Sequence, residues 1–227
     1  MIELTKTDVL GIEHAIRGMR NPMNSWDKSD SFYCREECSY PSCSMQHSCY
    51  GDYVVGNNDY GLMMKLADAG TDHRKFMRMI TVYVDIKAPL YWWKEFDTYK
   101  VGTVANSCST MHKIQSKEIE LTDFSFEEFD VSGGENEIYL SDMFVNVVAD
   151  CEALRLKYIE TGDKKYWRGL IQLLPTSYNQ KRTVMLNYEV LANIYKSRKN
   201  HKLDEWHKFC DWIEKLPYSE LIIGGDE

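Results

Sequence analysis

Hydrophobic positions fall at helical spacing along most of this chain and alternate over very little of it. Asp8 to Met19 carries Val9, Leu10, Ile12, Ala15, Ile16 and Met19 at near-helical intervals, predicting an amphipathic helix ended by Gly18 and the RNPMN run. Asn58 or Asp59 is placed to cap a second helix bearing Tyr60, Leu62, Met63, Leu66 and Ala67, closed by Gly70. Helical patterning resumes over roughly Asn136 to Glu160 and again over Lys164 to Leu173, stopped at Pro175. Gln180 to Lys199 has neither Gly nor Pro and continues the helical pattern through Val184, Leu186, Leu191, Ile194 and Tyr195. A final helix is expected from about Leu203 to Leu216, with Trp206, Phe209, Trp212 and Ile213 as its apolar face. The tail LIIGGDE is expected to fray.

Strand signals are few. The β-branched run from Ile80 to Ile86 predicts one strand, and Lys113 to Leu121 alternates weakly enough to suggest a second. Just before the first of them, Thr71 to Arg78 is a polar and basic connector. Asp123 to Glu137 is acidic, contains paired glycines and reads as an exposed excursion. The pattern is that of a mainly helical α/β (α+β) chain forming a single domain over residues 1–227.

The stretch from Lys87 to His112 stands apart. Pro89 suits the first turn of a helix that continues through Tyr91-Trp92-Trp93-Lys94-Glu95-Phe96, the most aromatic surface in the sequence. Gly102 breaks that helix, and Asn106-Ser107-Cys108-Ser109-Thr110 follows as a run of small, mostly polar residues. An apolar anchor feeding such a loop is one way to present hydrogen-bond donors to a small molecule. A core helix followed by an ordinary loop has the same pattern.

Composition narrows the classes. At 227 residues, with 44% apolar and 27% charged residues, the chain resembles ordinary globular proteins. No apolar run is long enough for a membrane span, and the N-terminus lacks a secretory pattern, so a cytoplasmic protein is expected. A net charge of −8 argues against an extended nucleic-acid footprint. Basic residues nevertheless crowd the C-terminal quarter, among them Lys181, Arg182, Lys196, Arg198 and Lys199, which leaves room for a local phosphate pocket. Cys34, Cys38, Cys43 and Cys49, with His47 nearby, sit in an inserted loop at about residues 31–53. Their spacing does not match paired zinc knuckles, so free thiols are expected and no metal is assigned. An oligomeric structural protein with a metal-bound cysteine loop is the alternative from another class. No dinucleotide, phosphate-loop, hydrolase or zinc-protease motif is present.

Three segments together resemble the flavin-dependent thymidylate synthases. That family has a strand running into Lys-Ala-Pro, a helix ending in Arg-His-Arg, and a serine some eight residues later in an Asn-Glu-x-Ser-x-Arg loop. Lys87-Ala88-Pro89 stands in the first place, Thr98-Tyr99-Lys100 falls on the signature, and eight residues separate Lys100 from Ser109. Asn106 and Ser109 match the loop, and Glu95 falls where the family has Gln. Further on, Leu174-Pro175 matches a family Leu-Pro, and Asn187, Asn193 and Arg198 keep the spacing of a C-terminal Asn-x-Arg segment. Gly70, His73 and Phe76 resemble the family's approach to the strand.

The resemblance implies a mainly helical domain around a small antiparallel sheet, and a homotetramer with sites between subunits. It implies FAD as cofactor, with NADPH and methylenetetrahydrofolate as co-substrates in methylating dUMP to dTMP. Carried over by position, His73, Arg78, Lys100, Asn106, Asn187 and Asn193 contact the cofactor. Glu95, Ser107, Ser109, Arg168 and Arg198 contact the nucleotide, and Lys100 and Ser109 take the catalytic places. The departures define a second expectation. Thr98 and Tyr99 replace Arg and His, Ser107 and Met111 replace Glu and Arg, and Glu189 replaces the Arg of Asn-x-Arg. A protein of this fold that binds nucleotide or flavin without methylating is the alternative.

Overall fold

The computed structural model describes residues 2–34, 53–127 and 140–224. Its elements run β1 (Glu3–Leu10), α1 (Ile12–Arg20), β2 (Phe32–Tyr33), β3 (Tyr53–Val54), α2 (Asn57–Asp68), β4 (Thr81–Pro89), α3 (Leu90–Phe96) and β5 (Val104–Ser107). They continue with α4 (Thr110–Lys113), α5 (Leu140–Thr161), α6 (Lys164–Leu173), β6 (Asn179–Asn187), α7 (Tyr188–Arg198), α8 (Asp204–Ile213) and α9 (Glu220–Ile223). The chain is mainly helical around a small antiparallel sheet, as expected. Strands pair in the order β1-β4-β6-β5, while β2 and β3 form a separate antiparallel ribbon with Phe32 opposite Val54. Charged and hydroxylic residues on β1 suit its place at the sheet edge.

The described residues fall into two compact units. One comprises Met1–Lys6, Val84–Lys100 and Ala105–Val184. Within it, Phe144, Val148 and Cys151 lie on one face of α5 and pack with Leu170 of α6, Ile114, Ile119 and Phe124. A second apolar nucleus is the Trp92–Trp93–Phe96 cluster of α3, with ring centroids 5.0–5.3 Å apart. Such rings supply most of the burial available to a seven-residue helix that would not be stable alone. Tyr178 O and Thr176 O accept from Leu90 N and Tyr91 N, both at 3.0 Å, and fix where α3 begins.

The other unit comprises Thr7–Tyr83, Val101–Val104 and Met185–Glu227. Ile16, Met63, Met77, Ile80, Trp206 and Phe209 are fully buried within it. Tyr188, also buried, donates its hydroxyl to Pro217 O.

Several elements differ from expectation. The first helix begins at Ile12, because β1 takes the residues through Leu10 and Gly11 turns the chain at φ 91°. Gly56, not Asn58 or Asp59, precedes α2, and Asp59 is instead buried against Arg20. Lys113 to Leu121 is not a strand; α4 and a 3-10 turn at Ile114–Ser116 occupy its start, so Ile114 and Ile119 enter the core. Gln180 to Lys199 is not one helix. It is β6, with alternating buried Val184 and Leu186, followed by α7 from Tyr188. The connector before β4 is a 3-10 helix, Arg74–Met79, that buries Phe76 and Met77. Phe124 and Ser125 are buried, so the acidic excursion does not begin at Asp123. At the other end, Leu221 and Ile222 are buried in α9 rather than frayed. Of the cysteine loop only its flanks are described; Cys34 is buried, and Cys38, Cys43, His47 and Cys49 lie outside the described residues.

Candidate functional site

The small polar loop after β5 is held in place by β6. Cys108 N donates to Lys181 O at 2.9 Å, and Gln180 Nε2 donates to both Cys108 O and Thr110 Oγ1 at 2.9 and 3.0 Å. Ser109 then caps α4, its Oγ accepting from His112 N at 3.2 Å. Beside this cap lies a cavity of about 290 Å³, lined by Ser109 together with Lys87, Lys113, Lys117 and Lys181. Glu118 and Asp123 are the carboxylates among its described lining residues.

Two of those lysines are fixed by acids. Lys117 Nζ lies 2.5 Å from Asp123 Oδ1, a bond that raises the lysine pKa above its ordinary value. Lys181 Nζ lies 3.0 Å from Asp85 Oδ2. Asp85 also accepts from Thr183 Oγ1 at 2.6 Å, and this hydroxyl, with Lys181, holds its carboxyl below the usual range.

In the other unit a second polar group forms between the 3-10 helix at Arg74–Met79 and the first turns of α7. Arg74 Nε donates to Glu189 Oε1 at 3.3 Å, and its Nη2 donates to Asn193 Oδ1 at 3.2 Å. Arg78 Nε lies 3.6 Å from Glu189 Oε2. Asn187 starts α7, its Oδ1 accepting from Val190 N at 3.0 Å. Gly102 packs against this cap with φ 79°; a Cβ there would lie 3.0 Å from Val190 Cγ2 and 3.2 Å from Asn187 Nδ2. The neighbouring Thr103 hydroxyl is buried without a hydrogen-bond partner among the described residues.

Of the residues expected at a site, Arg78 and Asn193 are joined through Arg74 and Glu189, and Asn187 is two residues from Glu189. Ser109 lines the lysine cavity, whereas Glu95, Ser107 and Arg168 are not among its described lining residues. Lys100 is exposed after α3, where Thr98 Oγ1 donates to Glu95 O at 2.8 Å. His73, Asn106, Ser107 and Arg168 are exposed. Arg198 stacks on Trp206, its guanidinium carbon 4.7 Å from the ring centroid. Sequence reasoning names Lys87 only as part of the Lys-Ala-Pro match, gives no site role to Lys113, Lys117 or Arg74, and finds Lys181 only as part of a basic crowd. Their common signal is charge, which marks most solvated surfaces equally well.

No protein-family model matches the chain, and no curated protein matches it. Solved structures do. A Helicobacter pylori thymidylate synthase X with FAD and dUMP is similar over 98% of both chains, with 16% identity and a TM-score of 0.65. A flavin-dependent thymidylate synthase from Helicobacter pylori, complexed with FAD and dUMP, covers 97% of this chain and 98% of its own, with 16% identity and a TM-score of 0.64. A UMP/dUMP methylase, PolB from Streptomyces cacaoi, bound with 5-Br dUMP, covers 94% and 88% at 11% identity and a TM-score of 0.54. The chain thus has the fold of the flavin-dependent thymidylate synthases.

Proposed function

We propose that this chain binds FAD and a pyrimidine nucleotide and methylates the nucleotide at C5, with dUMP the first substrate to test. The observation that carries the reading is the likeness, over nearly the full length of both chains, to structures that hold FAD and dUMP. Methylenetetrahydrofolate is the proposed methyl source and NADPH the reductant, in a cytoplasmic homotetramer with sites between subunits.

The residues fit a flavin at one specific point. Gly102 leaves beside Asn187 Nδ2 a space that a Cβ would fill, and the adjacent Thr103 hydroxyl lacks a partner among the described residues. On this reading Asn187, Asn193, His73, Arg78, Lys100 and Asn106 hold the cofactor, which supplies the redox chemistry when bound. Glu95, Ser107, Ser109, Arg168 and Arg198 bind the nucleotide. Lys100, in the place of the second signature arginine, offers a point charge rather than a bidentate fork. Ser109, already oriented by its bond from His112 N, still has its own hydroxyl proton to donate to the pyrimidine or its phosphate.

A second reading, binding without methylation, is favoured by one observation. Arg74 and Arg78 share the carboxylate of Glu189, so part of their charge is already neutralised within the protein. One preparation separates the readings. Flavin absorbance in the purified protein, with NADPH oxidation that depends on dUMP and methylenetetrahydrofolate, is the result expected for the enzyme. Flavin and nucleotide binding with no such oxidation establishes the second reading. Protein that takes up neither FAD nor dUMP excludes both. The mass of the assembly in solution tests the tetramer.

A further inference from the structure

We propose that the cavity beside Ser109 is a lysine-built subsite for a dianionic phosphate group, with Lys87 and Lys113 as its principal contacts. The proposal rests on the reading above only in identifying the phosphate as part of a nucleotide. Among the described residues four lysines and two carboxylates line the cavity, and Asp85, paired with Lys181 at its edge, brings the local balance to one positive charge, which favours an anion such as a phosphomonoester. Lys117 and Lys181 are already tied to Asp123 and Asp85, at 2.5 and 3.0 Å, and are thereby held in position. Lys87 and Lys113 have no carboxylate at ion-pair distance among the described residues, so their charges are the ones an incoming anion neutralises. A volume of about 290 Å³ is at the low end for ligand pockets, enough for a phosphate and part of the sugar it carries.

No arginine is among the described residues of the cavity lining. Lysines act as compact point charges without the fork geometry that selects one phosphate orientation. The subsite therefore accepts inorganic phosphate and pyrophosphate as well as a nucleotide phosphate, and its affinity falls with salt because part of the lining is exposed. Below about pH 6, where phosphate loses its second charge, binding weakens.

Calorimetric titration with phosphate, pyrophosphate, dUMP and deoxyuridine tests this on the full chain. The expected result is that Lys87→Gln and Lys113→Gln each weaken phosphate and pyrophosphate binding by about fivefold or more, since each removes a whole charge. Lys113→Arg keeps binding within about twofold, and Lys196→Gln on α7 serves as the unchanged control. Excess phosphate is expected to compete with dUMP and not with deoxyuridine. Phosphate binding that is absent, or indifferent to both Gln variants, overturns the subsite. The two readings fail separately. Lysine-dependent phosphate binding that dUMP does not displace sinks the nucleotide reading alone, while dUMP affinity equal in wild type and both Gln variants sinks the subsite alone.

Discussion

Arg74 and Glu189, 115 residues apart in the chain, meet through a 3.3 Å bond from Nε to Oε1, and Glu189 also faces Arg78 at 3.6 Å. The Glu189 side chain is only 8% exposed. Where the resembled family carries an arginine, this chain carries a buried acid between two guanidinium groups. The acid joins the 3-10 helix before β4 to the first turn of α7.

Removing Glu189 leaves the partly buried Arg74 without its acid and near the like charge of Arg78. Glu189→Ala is expected to lower unfolding stability by about 3 kcal/mol, the usual cost of breaking a buried pair from one side. Arg78→Ala is expected to cost under about 1 kcal/mol, because Arg78 is 57% exposed. Denaturant unfolding of the two variants checks the order. Equal losses would show that Glu189 does not organise this cluster.

Arg20 and Asp59 form a deeper pair, 2.5 Å apart with side-chain exposures of 4% and 0%. Asp59 also accepts from the hydroxyls of Ser29 and Ser31, at 2.7 and 2.6 Å. Burial pushes its carboxyl pKa up, but the bonds from Ser31, Ser29 and Arg20 outweigh burial and hold it below the ordinary value. The folded pKa is depressed, so the stabilisation is complete above the unfolded value, about 3.9, and is lost as pH falls through the folded one. Asp59→Asn is expected to cost about 3 kcal/mol at neutral pH. That gap is expected to narrow on acidification below about pH 4. Thermal unfolding of both proteins across pH measures it, and a constant gap contradicts the assignment.

The parts legible in the sequence were those with local causes. The β-branched run and Pro89 marked β4 and α3, Pro175 marked the end of α6, and the crowded rings of Trp92, Trp93 and Phe96 became a core. β6 was missed because a stretch without Gly or Pro carries no boundary signal, and only Val184 and Leu186 register its alternation. The change of period falls at Asn187, whose capping side chain was the available clue. The lysine cavity had no local signature. Lys87 comes from β4, Lys181 from β6 and Lys113 from α4, so the pairing of those strands and the clamp by Gln180 assemble it. Likewise, Glu189 was visible as a departure from a pattern and Arg78 as a candidate cofactor contact, while their pairing, and that with Arg74, was not.

The described cysteines divide by burial. Cys151 and Cys210 are buried, and desolvation pushes both thiols up to about 11, while Cys108 is exposed on the loop before Ser109. Alkylation near pH 8 is expected to label Cys108 in the native protein, and Cys151 and Cys210 only after denaturant is added, because the thiolate is the reacting species. Peptide mass spectrometry reads each site separately. Native labelling of Cys151 at the rate of Cys108 would contradict the packing of α5.

Gly102 links stability to the proposed flavin site. Its φ of 79° disfavours any side chain, and a Cβ would press on Val190 Cγ2 at 3.0 Å and Asn187 Nδ2 at 3.2 Å. Gly162 has a similar φ of 67°, and a Cβ there would meet nothing within 4 Å, so Gly162→Ala measures backbone strain alone. Gly162→Ala is expected to cost about 1 kcal/mol, and Gly102→Ala about 1 kcal/mol more as Asn187 gives way. If Asn187 holds a flavin, Gly102→Ala also weakens FAD binding severalfold while Gly162→Ala leaves it unchanged. Unfolding curves and FAD titration of the two variants test both claims. Equal FAD affinity in a folded Gly102→Ala protein removes Asn187 from the cofactor site, whatever the stability cost.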